Sequence, residues 1–238
     1  MYLCLFLLIV FLFNLIQIVG GFAGTMLAMP FTILLLGAEQ ARLVLNAVSI
    51  PCCVYPILRY HGVINWREAA RISFFMIMGI LISQKWIADL LLPQILVLYS
   101  IIVMAIALKN LFIKKIFCFP NLVSYLILLG AGIIHGAFLS GGALLVIYTM
   151  QRMKEKNEFR ATISVVWLIL NGFMLGVNIK QGNYHIEEWQ LVLSGLIPAV
   201  FGILIGDRLQ KKINDRNFHI FANVLLLFSG LTLFLSYI

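Results

Sequence analysis

Two glycine-rich stretches hold the residues of this chain best suited to grip a small solute. The first reads Gly20-Gly21-Phe22-Ala23-Gly24-Thr25 and the second His135-Gly136-Ala137-Phe138-Leu139-Ser140-Gly141-Gly142. Each interrupts an apolar run, residues 1–36 and 122–150, that is longer than the ~20 residues one bilayer crossing needs. A helix broken at membrane depth leaves backbone amides without partners, which is tolerated only against protein or a wet cavity. The half-helix that restarts after a break presents free N–H groups and a partial positive charge, an arrangement that attracts anions. Two such ends, near Gly24–Thr25 and near Gly141–Gly142, are placed to converge on one anion.

Uncharged polar residues inside the apolar runs add to this set. Thr25, Asn46 and Ser49 stand in the first half, and Ser140, Thr162, Ser164 and Asn171 in the second. Hydroxyls and amides suit an anion that must leave again; they serve equally well as interhelical hydrogen-bond partners. The candidate solute-binding residues are therefore Gly24, Thr25, Asn46, Ser140, Gly141, Gly142 and Thr162. His135, at the second break, is the candidate for carrying a proton or touching the anion, with a neutral hydrogen-bonded histidine as the plainer reading. Arg42 snorkels or draws anions to an entrance, and Asp207 with Arg208 reads as a boundary pair at a helix end.

Bond-making chemistry has no comparable support. Walker A, HExxH, G-x-S-x-G and Cys-x-x-Cys patterns are all missing from the sequence, as are the ligand spacings of a metal site. Cys4, Cys52, Cys53 and Cys118 read as small apolar residues. Neither catalysis, a cofactor nor a metal is expected.

The elements that must position these residues are membrane helices. Of the 238 residues 63% are hydrophobic and 11% charged, against roughly 45–50% and about 25% in soluble domains. Mean hydropathy is +1.05. The apolar segments fall at 1–36, 43–58, 70–88, 93–112, 122–150, 161–179, 189–207 and 217–237. Residues 1–19 have the look of a signal-peptide core, but no Lys or Arg precedes them, so they are expected to stay in the membrane. Trp66, Trp86 and Trp189 stand at segment ends, where interfacial aromatics belong. The net charge of +8 is spread over short loops with no nucleic-acid motif, so the expected surroundings are a lipid bilayer and a small anionic solute.

The chain also repeats. Gly24-Thr25-Met26-Leu27 matches Gly141-Gly142-Ala143-Leu144, and Ala41-Arg42 matches Ala161-Thr162. His61-Gly62 matches Gln181-Gly182, and Gly79-Ile80-Leu81-Ile82 recurs as Gly202-Ile203-Leu204-Ile205. The landmarks keep their order, which divides the chain into repeats 1–121 and 122–238. Charge sets their orientation. If both long runs cross only once, the Lys and Arg divide almost evenly between faces. If each goes in and returns, Arg42, Lys85 and Lys180 fall on one face and the other 14 of the 17 on the opposite face. The second split is what the positive-inside rule expects. It makes the repeats inverted and puts both termini outside the cytoplasm.

Two halves of about this length, each opening with a glycine-rich broken helix, resemble the TauE/SafE family of membrane permeases. The first family signature appears as Gly24-Thr25-Met26-Leu27-Ala28-Met29-Pro30. The second appears as Gly136-Ala137-Phe138-Leu139-Ser140-Gly141-Gly142-Ala143-Leu144, followed by Ala161-Thr162. Thr25 stands where the family usually has glycine, and Arg42-Leu43 where it has Thr-Ser, so the second half is the better match. The resemblance implies transport of sulfur-containing anions across the cytoplasmic membrane, with sulfite, thiosulfate and organosulfonates as substrates, often in export. The expectation is an all-α polytopic membrane protein of two inverted repeats, acting as a secondary permease with a coupling proton open to His135. A permease for another solute and a non-transporting membrane scaffold are the alternatives.

Overall fold

A computed structural model describes residues 2–87, 93–112, 120–153 and 155–237. Cys118, Lys114, Lys115 and Lys154 lie outside the described residues. Every described element is helical.

Both overlong runs are broken at their glycines. Helix α1 (Tyr2–Gly20) and α2 (Gly24–Leu36) are separated by a bend at 21–23, and α7 (Asn121–Phe138) and α8 (Gly142–Arg152) by 139–141. Gly21 takes the left-handed φ of 78° without cost, but Ala23 at 70° and Leu139 at 53° are held there despite their Cβ atoms. Each such residue costs roughly 1–3 kcal/mol unless its surroundings impose it. Both are buried, so packing imposes the breaks.

The run predicted to start at residue 43 begins earlier. Helices α3 (Ala38–Val48) and α4 (Ile50–Arg59) continue one another through Ser49, which keeps a right-handed helical conformation. Pro51 removes one rung of the ladder there. Helix α5 (Trp66–Ile82) leads into a π-helical turn, Ser83–Ile87. It is followed by α6 (Pro93–Phe112), α9 (Lys156–Lys180), α10 (Ile186–Lys211) and α11 (Asp215–Tyr237). Among the described residues four stretches are long and apolar enough to cross a membrane: Tyr2–Gly20, Ala38–Arg59, Lys156–Lys180 and Ile186–Lys211. Large side chains such as Phe31, Leu34, Phe74, Leu193, Ile197 and Phe201 cover the outside of the bundle. That surface would be costly in water and is at home in lipid.

Glycine lets two helix pairs approach closely. A Cβ on Gly79 of α5 would lie 2.3 Å from the Leu129 carbonyl oxygen of α7, and one on Gly132 would lie 2.2 Å from that of Met76. A Cβ on Gly202 of α10 would lie 2.6 Å from the Phe11 carbonyl oxygen of α1. Gly79 and Gly202 are the equivalent glycines of the two Gly-Ile-Leu-Ile landmarks. Each seats the first arm of a broken helix, and that arm belongs to the other half of the chain. Contacts advance together along each pair, from Gly195 against Val10 to Gly206 against Ile18 in one, and from Met76 against Gly132 to Ser83 against Gly136 in the other. Both pairs are therefore parallel. Because α5 and α10 run in opposite directions through the bundle, the α1–α2 and α7–α8 hairpins open toward opposite ends.

The hairpin ends are tied by polar contacts. Arg152 Nη2 at the end of α8 donates to Asn121 Oδ1 at the start of α7, 3.0 Å. At the same end Glu68 accepts the Tyr148 hydroxyl at 2.7 Å and pairs with Arg71. At the opposite end Gln40 donates to Glu188, 2.8 Å, and the Tyr184 hydroxyl donates to the Leu43 carbonyl, 2.8 Å.

Candidate functional site

Each half-helix restarts against the helix that precedes its break. A Cβ on Gly24 would lie 2.5 Å from the Phe13 carbonyl oxygen and 2.7 Å from Gln17 Cβ; one on Gly141 would lie 2.1 Å from the Ala131 carbonyl oxygen and 2.8 Å from His135 Cβ. Gln17 and His135 therefore occupy equivalent positions, one before each break. Gln17 closes its own break: the Gly24 N–H donates to Oε1 at 3.0 Å, while Nε2 donates to the Gly21 carbonyl at 3.2 Å. One side-chain amide thus replaces two missing backbone partners. The N-cap residue of α8, Gly141, has no side chain to contribute a cap.

The two breaks meet on one side chain, Trp167. Its Nε1 donates to the Gly21 carbonyl at 3.1 Å. A Cβ on Gly142 would lie 3.6 Å from its Cζ2 and 3.9 Å from the Cβ of Phe22. The start of α8 thus reaches the first break, beside the middle of the 25-residue α9.

A buried polar chain runs from the second break across to α3. His135 Nε2 lies 3.2 Å from Asn171 Oδ1, Asn171 Nδ2 donates to Ser49 Oγ at 2.9 Å, and Ser49 Oγ donates to the Asn46 carbonyl at 2.7 Å. Asn46 Nδ2 returns to the Asn171 carbonyl at 3.3 Å. His135 packs against Trp167, ring centres 5.0 Å apart and planes tilted by 34°. His135 Nδ1 and Asn46 Oδ1 are buried without a partner, which leaves hydrogen-bonding capacity unused in a place where it is expensive.

Gly141, Gly142, Ser140 and His135 therefore cluster at the second break, and the polar chain joins Asn46 to them. Gly24 lies at the first break with its N–H engaged by Gln17, and Thr25 follows, partly exposed. Thr162 is turned elsewhere: its hydroxyl accepts the Asn65 N–H, 2.9 Å, at the start of α5. Asp207 pairs with Lys211 at 2.5 Å, one helical turn on, rather than with Arg208.

Sequence reasoning passed over Gln17, Trp167 and Arg160. Arg160 reads as a loop charge in the run Arg152–Arg160, yet it is 1% exposed, one turn inside α9. Its Nε and Nη2 both donate to the Ile18 carbonyl at the end of α1, Nε at 2.8 Å. The available signal was its position between Phe159 and Ala161, directly before the Ala161-Thr162 landmark.

A separate open pocket of about 440 Å³ lies at the end of the bundle where α2 gives way to α3. It is lined by Gly37, Glu39, Gln40, Asn183, His185 and Glu188, among others. Among the described residues no three His, Cys, Asp or Glu side chains are grouped to hold a metal ion.

Fold and site together define a multi-pass, all-helical membrane protein in which two broken helices meet at the centre. Residues 6–233 match the family described as Sulfite exporter TauE/SafE, and the chain belongs to that family. It is 28% identical over 106 residues to the Probable inner membrane transporter protein TsaS of Comamonas testosteroni; the match covers 43% of this chain and 43% of that relative's length. No solved structure matches.

Proposed function

We propose that the chain is a secondary permease for small sulfur-containing anions (sulfite, thiosulfate or organosulfonates), working in export, with the anion held between the two broken helices. The observation that carries this reading is the meeting of both breaks on Trp167, with Gly142 against Phe22. Membership of the sulfite exporter family supports the substrate class, and the relative from Comamonas testosteroni, named a probable inner membrane transporter, supports the membrane role. Binding is assigned to Gly24, Thr25, Asn46, Ser140, Gly141 and Gly142, with His135 as the contact for a coupling proton; Thr162, whose hydroxyl holds the Asn65 N–H, is left out of the set.

The repeats 1–121 and 122–238 are read as inverted. The crossed seating of Gly79 and Gly202 and the opposite openings of the two hairpins support this. Alternating access then moves one repeat against the other. Both termini are read as lying on the side opposite the basic loops, outside the cytoplasm, as the positive-inside rule expects.

Both breaks are closely packed, as a closed transporter would be and as a non-transporting scaffold would be. Flux separates the two. Purified protein in proteoliposomes is expected to carry labelled sulfite saturably, with a small sulfonate competing. Folded protein that moves none of these anions above empty liposomes contradicts the proposal and favours the scaffold, or a permease for another solute.

A further inference from the structure

Arg160 is the one buried Lys or Arg among the described residues. Its guanidinium is half used. Nε and Nη2 share the Ile18 carbonyl, and Nη1 is buried with no partner. No salt bridge reaches it among the described residues. Tyr60 lies below, its ring centre 5.7 Å from the guanidinium carbon, and Cys52 and Asp207 are the other titratable groups that act on it. Asp207 is already committed, with Lys211 at 2.5 Å and Gln210 at 3.3 Å. Gln210 Nε2 also donates to the Tyr60 hydroxyl at 2.6 Å. Tyr60 and Gln210 thus form a hydrogen-bonded pair beside Arg160.

A charge taken out of water is costly unless it is paired and fully hydrogen-bonded. Arg160 has the Ile18 carbonyl and the Tyr60 side chain for company, and its Nη1 is left without a partner beside the first break. A cation kept in that condition is placed for a counter-ion that comes and goes. The planar guanidinium fork matches oxygen pairs on a tetrahedral or pyramidal oxyanion. One buried charge also sets the valence: a monoanion is neutralised there, and a dianion carries a surplus charge into a low-dielectric site.

Resting on the permease reading, we infer that Arg160 receives the anion at the first break and selects monoanions, hydrogensulfite or a sulfonate, over dianions such as thiosulfate or sulfate.

Ligand-induced thermal stabilisation of the purified full chain tests this without requiring transport. Methanesulfonate is expected to raise Tm saturably, with thiosulfate needing roughly tenfold or more higher concentration. Arg160→Gln, which keeps a donor for Ile18, is expected to retain the unliganded Tm and lose the methanesulfonate shift. Arg160→Lys, which keeps the charge without the fork, is expected to keep the shift at several-fold higher concentration. If Arg160→Gln fails to fold, Arg160→Lys decides, and an unchanged half-point overturns the inference. So do a wild-type shift preserved in Arg160→Gln, equal half-points for thiosulfate and methanesulfonate, or no shift in wild type. Flux is scored separately. An Arg160-dependent shift without flux overturns the permease reading and leaves this inference; sulfite flux unchanged by Arg160→Gln does the reverse.

Discussion

Gly141 and Gly142 are neighbours with different jobs, and geometry separates them. A Cβ on Gly141 would strike the Ala131 carbonyl at 2.1 Å, whereas one on Gly142 has its nearest neighbour at 3.6 Å. Gly141→Ala is expected to cost roughly 1–3 kcal/mol by overpacking, visible as a lower Tm in detergent. Gly142→Ala is expected to leave Tm unchanged. Equal losses at both positions would show that the close approach at Gly141 is absent. Asn171 carries a similar argument: it serves His135 and Ser49 at once. Asn171→Leu strands His135 Nε2 in the core and takes from Ser49 one of its two partners, at about 1–3 kcal/mol for the unsatisfied group. A Tm equal to wild type would mean the polar chain is not formed. At this scale the sequence showed the glycines, His135 and the in-span amides, because small and polar residues stand out in apolar runs. It did not show Arg160 or Trp167. A charge next to a basic loop looks like the loop, and a tryptophan in an apolar helix looks like lipid contact.

The elements were legible where composition changes sharply. The two overlong runs predicted the two breaks, since no single crossing accommodates them. The joint at Ser49 was not legible, because Pro51 near the start of a helix disturbs the ladder without ending it. The Gly-Ile-Leu-Ile landmarks appeared in the sequence as a repeat only; their role emerged from packing, with each glycine admitting the carbonyl of a broken helix. Gly79→Val and Gly202→Val should therefore act alike. Each is expected to force α5 from α7, or α10 from α1, and to reduce the yield of folded monodisperse protein severalfold. A well-behaved Gly202→Val protein would contradict the close seating of α1 on α10.

For the whole molecule, the sequence carried the membrane class and the family, through hydropathy and motif. Orientation rests on the placement of Lys and Arg and on the two oppositely opening hairpins. Single cysteines placed at Tyr2 and at Tyr237, in a chain lacking its native cysteines, are both expected to react in intact cells with a membrane-impermeant thiol reagent. Labelling of only one terminus would contradict the inverted arrangement. The substrate was not legible from physics alone: backbone amides and hydroxyls accept many oxyanions, and only the family resemblance narrows the choice to sulfur compounds.

The central claim is that the solute passes where the two breaks meet. Its most direct test is the initial rate of labelled sulfite uptake into proteoliposomes, measured side by side for wild type and Gly142→Val. A Cβ there already meets Trp167 at 3.6 Å and Phe22 at 3.9 Å, so the branched side chain obstructs the gap where the two breaks meet. Saturable wild-type flux and its loss in the variant are expected, with folded and equally reconstituted protein confirmed for both. Equal flux from the two proteins would place the path elsewhere and contradict the account.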